Sequence, residues 1–176
     1  MSKTKKIVLS AMLLALLIVL SRFLSIKTPI VVISLSFVPI MMSAIWLGPK
    51  YTLVIAALGD LIGAILFPFG AYFPGYTLSQ LLTGLIYGLF LYKKPGEEIS
   101  DSKFILKLII SSVIVLGFIG VLLTSLWVKI TAGKSYIVVM AGRITTQAIM
   151  LPIQVITIFI LEKLTRPITK KFFEEE

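Results

Sequence analysis

An all-α membrane protein, a bundle of six transmembrane helices with the N- and C-termini cytoplasmic, is the fold class this chain predicts. Three observations lead to it. Hydrophobic residues make up 58% of the 176 residues and charged residues 14%, with a mean hydropathy of +1.05; a soluble domain carries roughly a quarter charged residues. The apolar residues fall into six runs separated by short polar or Pro/Gly breaks. The 17 lysines and arginines concentrate in alternate connections between those runs. At this length one bundle over residues 1–176 is expected rather than two domains.

The first run, 5–24, follows Lys3, Lys5 and Lys6, as a signal peptide would. It continues almost unbroken from Ile7 through Leu24, and Ser21-Arg22-Phe23 is not a small-residue cleavage site. A retained first helix is therefore expected. The second run, 35–47, is short and bounded by Pro39 and Gly48-Pro49, so a tilted or kinked helix is expected. The third and fourth runs are 51–67 and 77–92. The fifth and sixth, 104–130 and 136–164, exceed the roughly 20 residues that a bilayer needs, and should tilt or project. No internal repeat is visible, so alternating access by inverted repeats within this chain is not supported.

An even helix number puts both termini on one side. Lys3, Lys5, Lys6, Lys50, Lys93, Lys94, Lys103, Lys107, Lys163, Arg166, Lys170 and Lys171 share that side, 12 of the 17. Only Arg22, Lys27, Lys129, Lys134 and Arg143 lie on the other. Positive charge marks the cytoplasm, so loops 26–34 and 67–76 are expected to be extracellular. The net charge of +9 is then mostly topology and requires no nucleic-acid partner. Residues 93–103 read as a polar cytoplasmic loop and Glu174-Glu175-Glu176 as a solvated tail.

The catalytic alphabet is thin. There is no cysteine and no histidine, which removes disulfides, thiolate chemistry, the usual general base and the commonest metal ligand. No phosphate-binding loop occurs either, so ATP-driven activity would have to come from other subunits. No catalytic residue, metal ligand or cofactor is expected.

What remains is a set of polar and aromatic residues in places where each calls for a reason. The segment Phe67-Pro68-Phe69-Gly70-Ala71-Tyr72-Phe73-Pro74-Gly75-Tyr76-Thr77 carries five aromatics and no charge in a connection that would ordinarily be polar. Its aromatics form either an interfacial belt or an ordered loop over a flat ligand. Charge within a bilayer costs about 3 kcal/mol or more per group at the centre, and Asp60 is the one acid within the core of a helix run. It either pairs with an arginine, caps a broken helix, or accepts hydrogen bonds from a ligand. Arg143, with Thr146 and Gln147 one turn on and Met140 and Met150 extending the same face, suits an anionic ligand. Gln80 should lie at similar depth. Gly84 and Gly88 read as a helix-packing pair, as do Ala11 and Ala15 on the first helix.

Together these residues resemble a family: the substrate-binding S components of energy-coupling factor (ECF) vitamin transporters, and among them the folate-specific branch. The run from Pro68 through Tyr92 carries the resemblance most specifically, supported by Gly48-Pro49, Ala56-Ala57-Leu58-Gly59-Asp60, Arg143 and Leu151-Pro152-Ile153-Gln154. The resemblance implies a multi-pass cell-membrane subunit that is not an enzyme and binds folate from outside. It would dock through Ala11 and Ala15 on a transmembrane coupling subunit driven by two cytoplasmic ATPase subunits. Loops 26–34 and 67–76 would gate the site. The implied ligand set is Arg22, Asp60, Tyr72, Phe73, Pro74, Tyr76, Gln80, Lys134, Arg143, Thr146 and Gln147, with membrane lipid as the surrounding partner and Lys27 a further cation near the ligand's anionic tail. Two other readings stand beside it: an S component for a different vitamin or nucleobase-like compound, and a structural membrane protein without a ligand.

Overall fold

Hydrocarbon offers no hydrogen bonds, so each apolar run must close its backbone bonds within itself. Six helices result: α1 (Lys3–Arg22), α2 (Phe37–Leu47), α3 (Pro49–Leu66), α4 (Pro74–Leu91), α5 (Asp101–Ala132) and α6 (Tyr136–Glu174). The computed structural model describes residues 2–27, 32–68, 70, 72–94, 97 and 99–174, with backbone only at 26, 27, 32, 33 and 168–174. Phe69, the loop tip 28–31, the Lys27 side chain and the end of the acidic tail at 175–176 lie outside the described residues.

Local chemistry sets the ends of these helices. The Ser2 hydroxyl accepts from the Lys5 N–H at 3.3 Å and Ser100 from the Lys103 N–H at 3.4 Å, each supplying an orphan donor of a first turn. α4 starts at Pro74 rather than at the expected 77. Proline needs no N–H partner in a first turn and its φ is preset for one, so residues 74–76 belong to the helix and not to the loop. Gly133, in the left-handed conformation at φ 64°, ends α5. Loop 26–34 is more ordered than an unstructured connection: β1 (Ser25–Lys27) pairs antiparallel with β2 (Val32–Ser34), Ile26 opposite Ile33.

α5 is not uniform. Its middle, Val115–Leu123, is a π-helix. α6 passes through Pro152 and Pro167 as one helix. α1, α3, α5 and α6 are long and apolar enough to cross a membrane. α2 has only 11 residues, about 16 Å at 1.5 Å each, and cannot. It is the core instead: Phe37, Ile40, Met41, Met42, Ala44, Ile45 and Leu47 are all buried. Ile55 and Ala56 of α3, Tyr87 and Leu91 of α4, Phe104 and Leu108 of α5 and Ile158 of α6 close around it.

The most extensive helix contact is α3 against α4, and two glycines create it. A Cβ on Gly84 would lie 2.6 Å from the Thr52 carbonyl oxygen, and one on Gly88 would lie 2.4 Å from the Pro49 Cα. Both obstacles are backbone or fixed by it, so no rotamer change would relieve them. At the end of the bundle holding the N-terminus, ion pairs join three helices. Glu162, only 4% exposed, takes Lys93 and Arg166; Arg166 reaches Asp101 at 2.8 Å, and Lys163 reaches it at 3.3 Å. A buried carboxylate with two cations is compensated, whereas loss of one partner would leave an unpaired charge.

Gly88→Leu should lower the stability of the detergent-solubilised protein by about 1–3 kcal/mol or more, whereas Gly117→Ala, with nothing within 4 Å, should be nearly neutral. Thermal unfolding midpoints of the two variants check this.

Candidate ligand site

The site lies at the end of the bundle opposite the ion pairs, where α4 begins. Phe73 is extended before Pro74, and Gly75 has no Cβ. One added there would meet the Phe73 ring at 2.4 Å and the Trp127 ring at 2.7 Å. Both rings can therefore lie flush on the backbone, with centroids 5.5 Å apart and planes tilted by 54°. Tyr76 meets Phe73 edge-on at 6.0 Å. The Trp127 indole N–H donates to Ser79 Oγ at 2.9 Å. Thr131 gives its proton to the Trp127 carbonyl, so Tyr76 is the donor in its 3.2 Å bond to Thr131. The first turn of α4 is thus bonded to the last turns of α5.

The same turn is bonded to α3 on its other side. Thr77 Oγ1 donates to Asp60 Oδ2 at 2.7 Å, and Tyr72 OH lies 3.1 Å from Thr77 Oγ1. Arg22 Nη2 stands 3.7 Å from Asp60 Oδ1 and donates to the Asp60 carbonyl at 3.2 Å. Its Nη1 reaches the Phe67 carbonyl at 3.5 Å. Gly63 makes room, since a Cβ there would lie 2.5 Å from Arg22 Nε. Of the alternatives open for Asp60, the structure contains the arginine pair.

Arg143 and Gln147 form the opposite wall, and both converge on Gly120 of the π-helical stretch. Arg143 Nη1 donates to the Gly120 carbonyl at 3.2 Å, while a Cβ at Gly120 would press on Gln147 Nε2 at 2.7 Å. Breaking the regular α pattern at a π segment can leave carbonyls available to side chains, and Arg143 takes one. Among the described residues its Nε is buried with no hydrogen-bond partner. Thr146, by contrast, spends its proton on the Gly142 carbonyl at 3.0 Å.

The walls have a floor. Gln80 is one turn below Tyr76 and partly buried; Tyr87 is two turns further along α4. Gln154 stands two turns below Gln147 on α6. The Tyr87 hydroxyl donates to Gln154 Oε1 at 3.2 Å, both residues buried. From Arg143 to Gln154 the wall runs about 16 Å, lined by one cation, two amides and Met150.

The structure brings Phe73 and Tyr76 to the end of α5 and Arg143 and Gln147 to Gly120 in its middle, with Gln80 on the Tyr76 face, Pro74 exposed and Thr146 turned onto its own helix. Arg22, Asp60 and Tyr72 form an adjoining group around Thr77. Lys134 is partly buried in the turn after Gly133. Sequence reasoning missed Trp127, Ser79 and Gly120. Trp127 is one of two tryptophans, and an amphipathic indole near a membrane boundary was the available signal. Ala11 and Ala15 lie on the exposed side of α1, where only Leu13 and Leu17 are buried.

Residues 1–166 match a family model described as the S component of the ECF-type riboflavin transporter. The chain is 37% identical to the folate transporter FolT of Clostridium novyi (strain NT) over 159 residues, covering 90% of this chain and 88% of that one. It is 35% identical to FolT of Leuconostoc mesenteroides over 177 residues, covering 97% and 92%. Its fold is similar to a crystal structure of FolT bound with folic acid, with a TM-score of 0.79 and 34% identity over 90% of this chain and 92% of the other.

An aromatic ligand seated between these walls should change Trp127 emission. Trp127→Phe should remove most of that fluorescence response, while Trp46→Phe, whose ring packs on the core, should keep it.

Proposed function

The chain belongs to the family of ECF-type riboflavin transporter S components, and within it we propose a subunit that binds folate at the α4–α6 site. It is a multi-pass membrane transport subunit and not an enzyme. The observation carrying the ligand is the likeness over nine-tenths of the chain to a transporter solved with folic acid.

The family model is named for riboflavin, whereas the relatives are folate transporters. Charge favours the relatives. Riboflavin is neutral, and a partly buried arginine with an unassigned donor would gain little from it. Folate carries carboxylates, which a guanidinium binds strongly. Arg143 then takes the anionic or most electron-rich group, and Gln147 and Gln80 read the polar edges. Thr146 lends its oxygen, while Phe73, Pro74 and Tyr76 cover the flat ring. Lys134, at the rim, draws the anion in, with Arg22, Asp60 and Tyr72 beside the mouth.

The distribution of lysine and arginine supports cytoplasmic termini and an outward-facing mouth in the cell membrane. Energy comes from elsewhere: a coupling subunit and two ATPases receive the loaded protein. Ala11 and Ala15, exposed beside Met12 on a helix that buries little of itself, form the docking face.

Purified protein should bind radiolabelled folic acid saturably and riboflavin not at all; the reverse would transfer the site to riboflavin. Arg143→Ala should weaken folic acid binding by roughly 10- to 100-fold at unchanged expression. Ala11→Trp with Ala15→Trp should leave binding intact and abolish uptake in cells supplied with the coupling module. Normal uptake would place docking on another face.

A further inference from the structure

Asp60 already serves two partners. Its Oδ2 takes the Thr77 proton at 2.7 Å, its Oδ1 faces Arg22, and Arg22 also holds the Asp60 and Phe67 carbonyls. The short Thr77–Asp60 bond is charge-assisted. A threonine hydroxyl has one proton, and Thr77 has given it to the carboxylate. The 3.1 Å contact between Tyr72 and Thr77 can then have only one direction: the tyrosine O–H donates and Thr77 Oγ1 accepts. The order Tyr72 to Thr77 to Asp60 is fixed, and each bond polarises the next.

Tyr72 itself is 46% exposed. Among the described residues Thr77 is the partner of its hydroxyl, so this relay is what orients the ring. The relay's far end is packed among several partners. Asp60 lies on α3, Gly63 admits the Arg22 head one turn along, and the α1 and α3 ends are joined again by Phe23 and Phe67 at 4.9 Å. The relay thus fixes an exposed aromatic that precedes Phe73 in the chain.

We propose that Asp60 and Thr77 are positioning residues, a hydroxyl relay that holds Tyr72 over the mouth and sets how fast bound folate leaves. The inference rests on the folate reading above. Neither residue touches the ligand; both act through Tyr72. A side chain held over an occupied site slows departure far more than arrival, so the effect belongs in the dissociation rate.

The experiment measures association and dissociation of radiolabelled folic acid on the purified full-length protein. Tyr72→Phe keeps the ring and removes its donor; Thr77→Val keeps the shape and removes the link. Each should speed dissociation by about tenfold, with association within about twofold, and the double variant should be no faster than either single one. Thr77→Ser should restore the slow rate. Unchanged dissociation in both single variants, or additive effects in the double, overturns the relay. A wild-type protein that binds no folic acid refutes the folate reading instead. Amide hydrogen exchange of the unliganded protein then decides the relay alone. Thr77→Val should speed exchange at 72–78 more than at 79–91 of the same helix, and unchanged exchange at 72–78 refutes it.

Discussion

Two absent side chains hold this bundle together. Gly84 and Gly88 let α4 lie directly against the backbone of α3, at the Thr52 carbonyl and the Pro49 Cα. Membrane helices gain little from burying apolar groups against one another, because lipid is equally apolar; close backbone approach supplies the attraction instead. Everything on the other faces of α4 takes its position from that seat. Thr77 reaches Asp60 only because α4 stands this close to α3. Tyr76 and Ser79 reach α5, and Tyr87 reaches Gln154, from the same fixed helix.

Ion pairs are grouped at two levels of the bundle. The termini end is tied by Lys93, Glu162, Arg166 and Asp101; the loop end by Arg22, Asp60 and Thr77. Each group joins helices that are distant in sequence, and each charge has an opposite charge beside it. α6 takes part in the first network and in the ligand wall, so its position is fixed at the ion pairs while its other end remains available to a ligand. α1 is held more lightly, by Leu13, Leu17 and the Arg22 head.

Composition and run length were enough to read the six-helix class, because a bilayer imposes the length of a spanning helix and the closure of its backbone. The common face of Arg143 and Gln147 was legible from helical spacing alone, whereas the cost of an isolated charge left the Asp60–arginine pair as one of three readings. The rest depended on distances that no spacing encodes. Trp127 sits 54 residues from Phe73 in the chain, and nothing local says that their rings meet. The π-helical stretch is a hydrogen-bond pattern rather than a hydrophobic one, so its apolar residues read as ordinary helix. Pro74 did carry a signal, being a residue that suits a first turn; the aromatic composition around it reads as loop.

The π-helical stretch has a consequence for α5 as a whole. A regular helix has one rotational phase from end to end, so a residue facing one neighbour dictates which residues face the same way eight turns later. α5 must serve two neighbourhoods. Its first turns send Phe104 and Leu108 into the core beside α2, and its last turns send Trp127 and Thr131 to the start of α4. Nine residues of wider winding act as a phase shifter between them, letting the two ends be aimed independently on one unbroken rod.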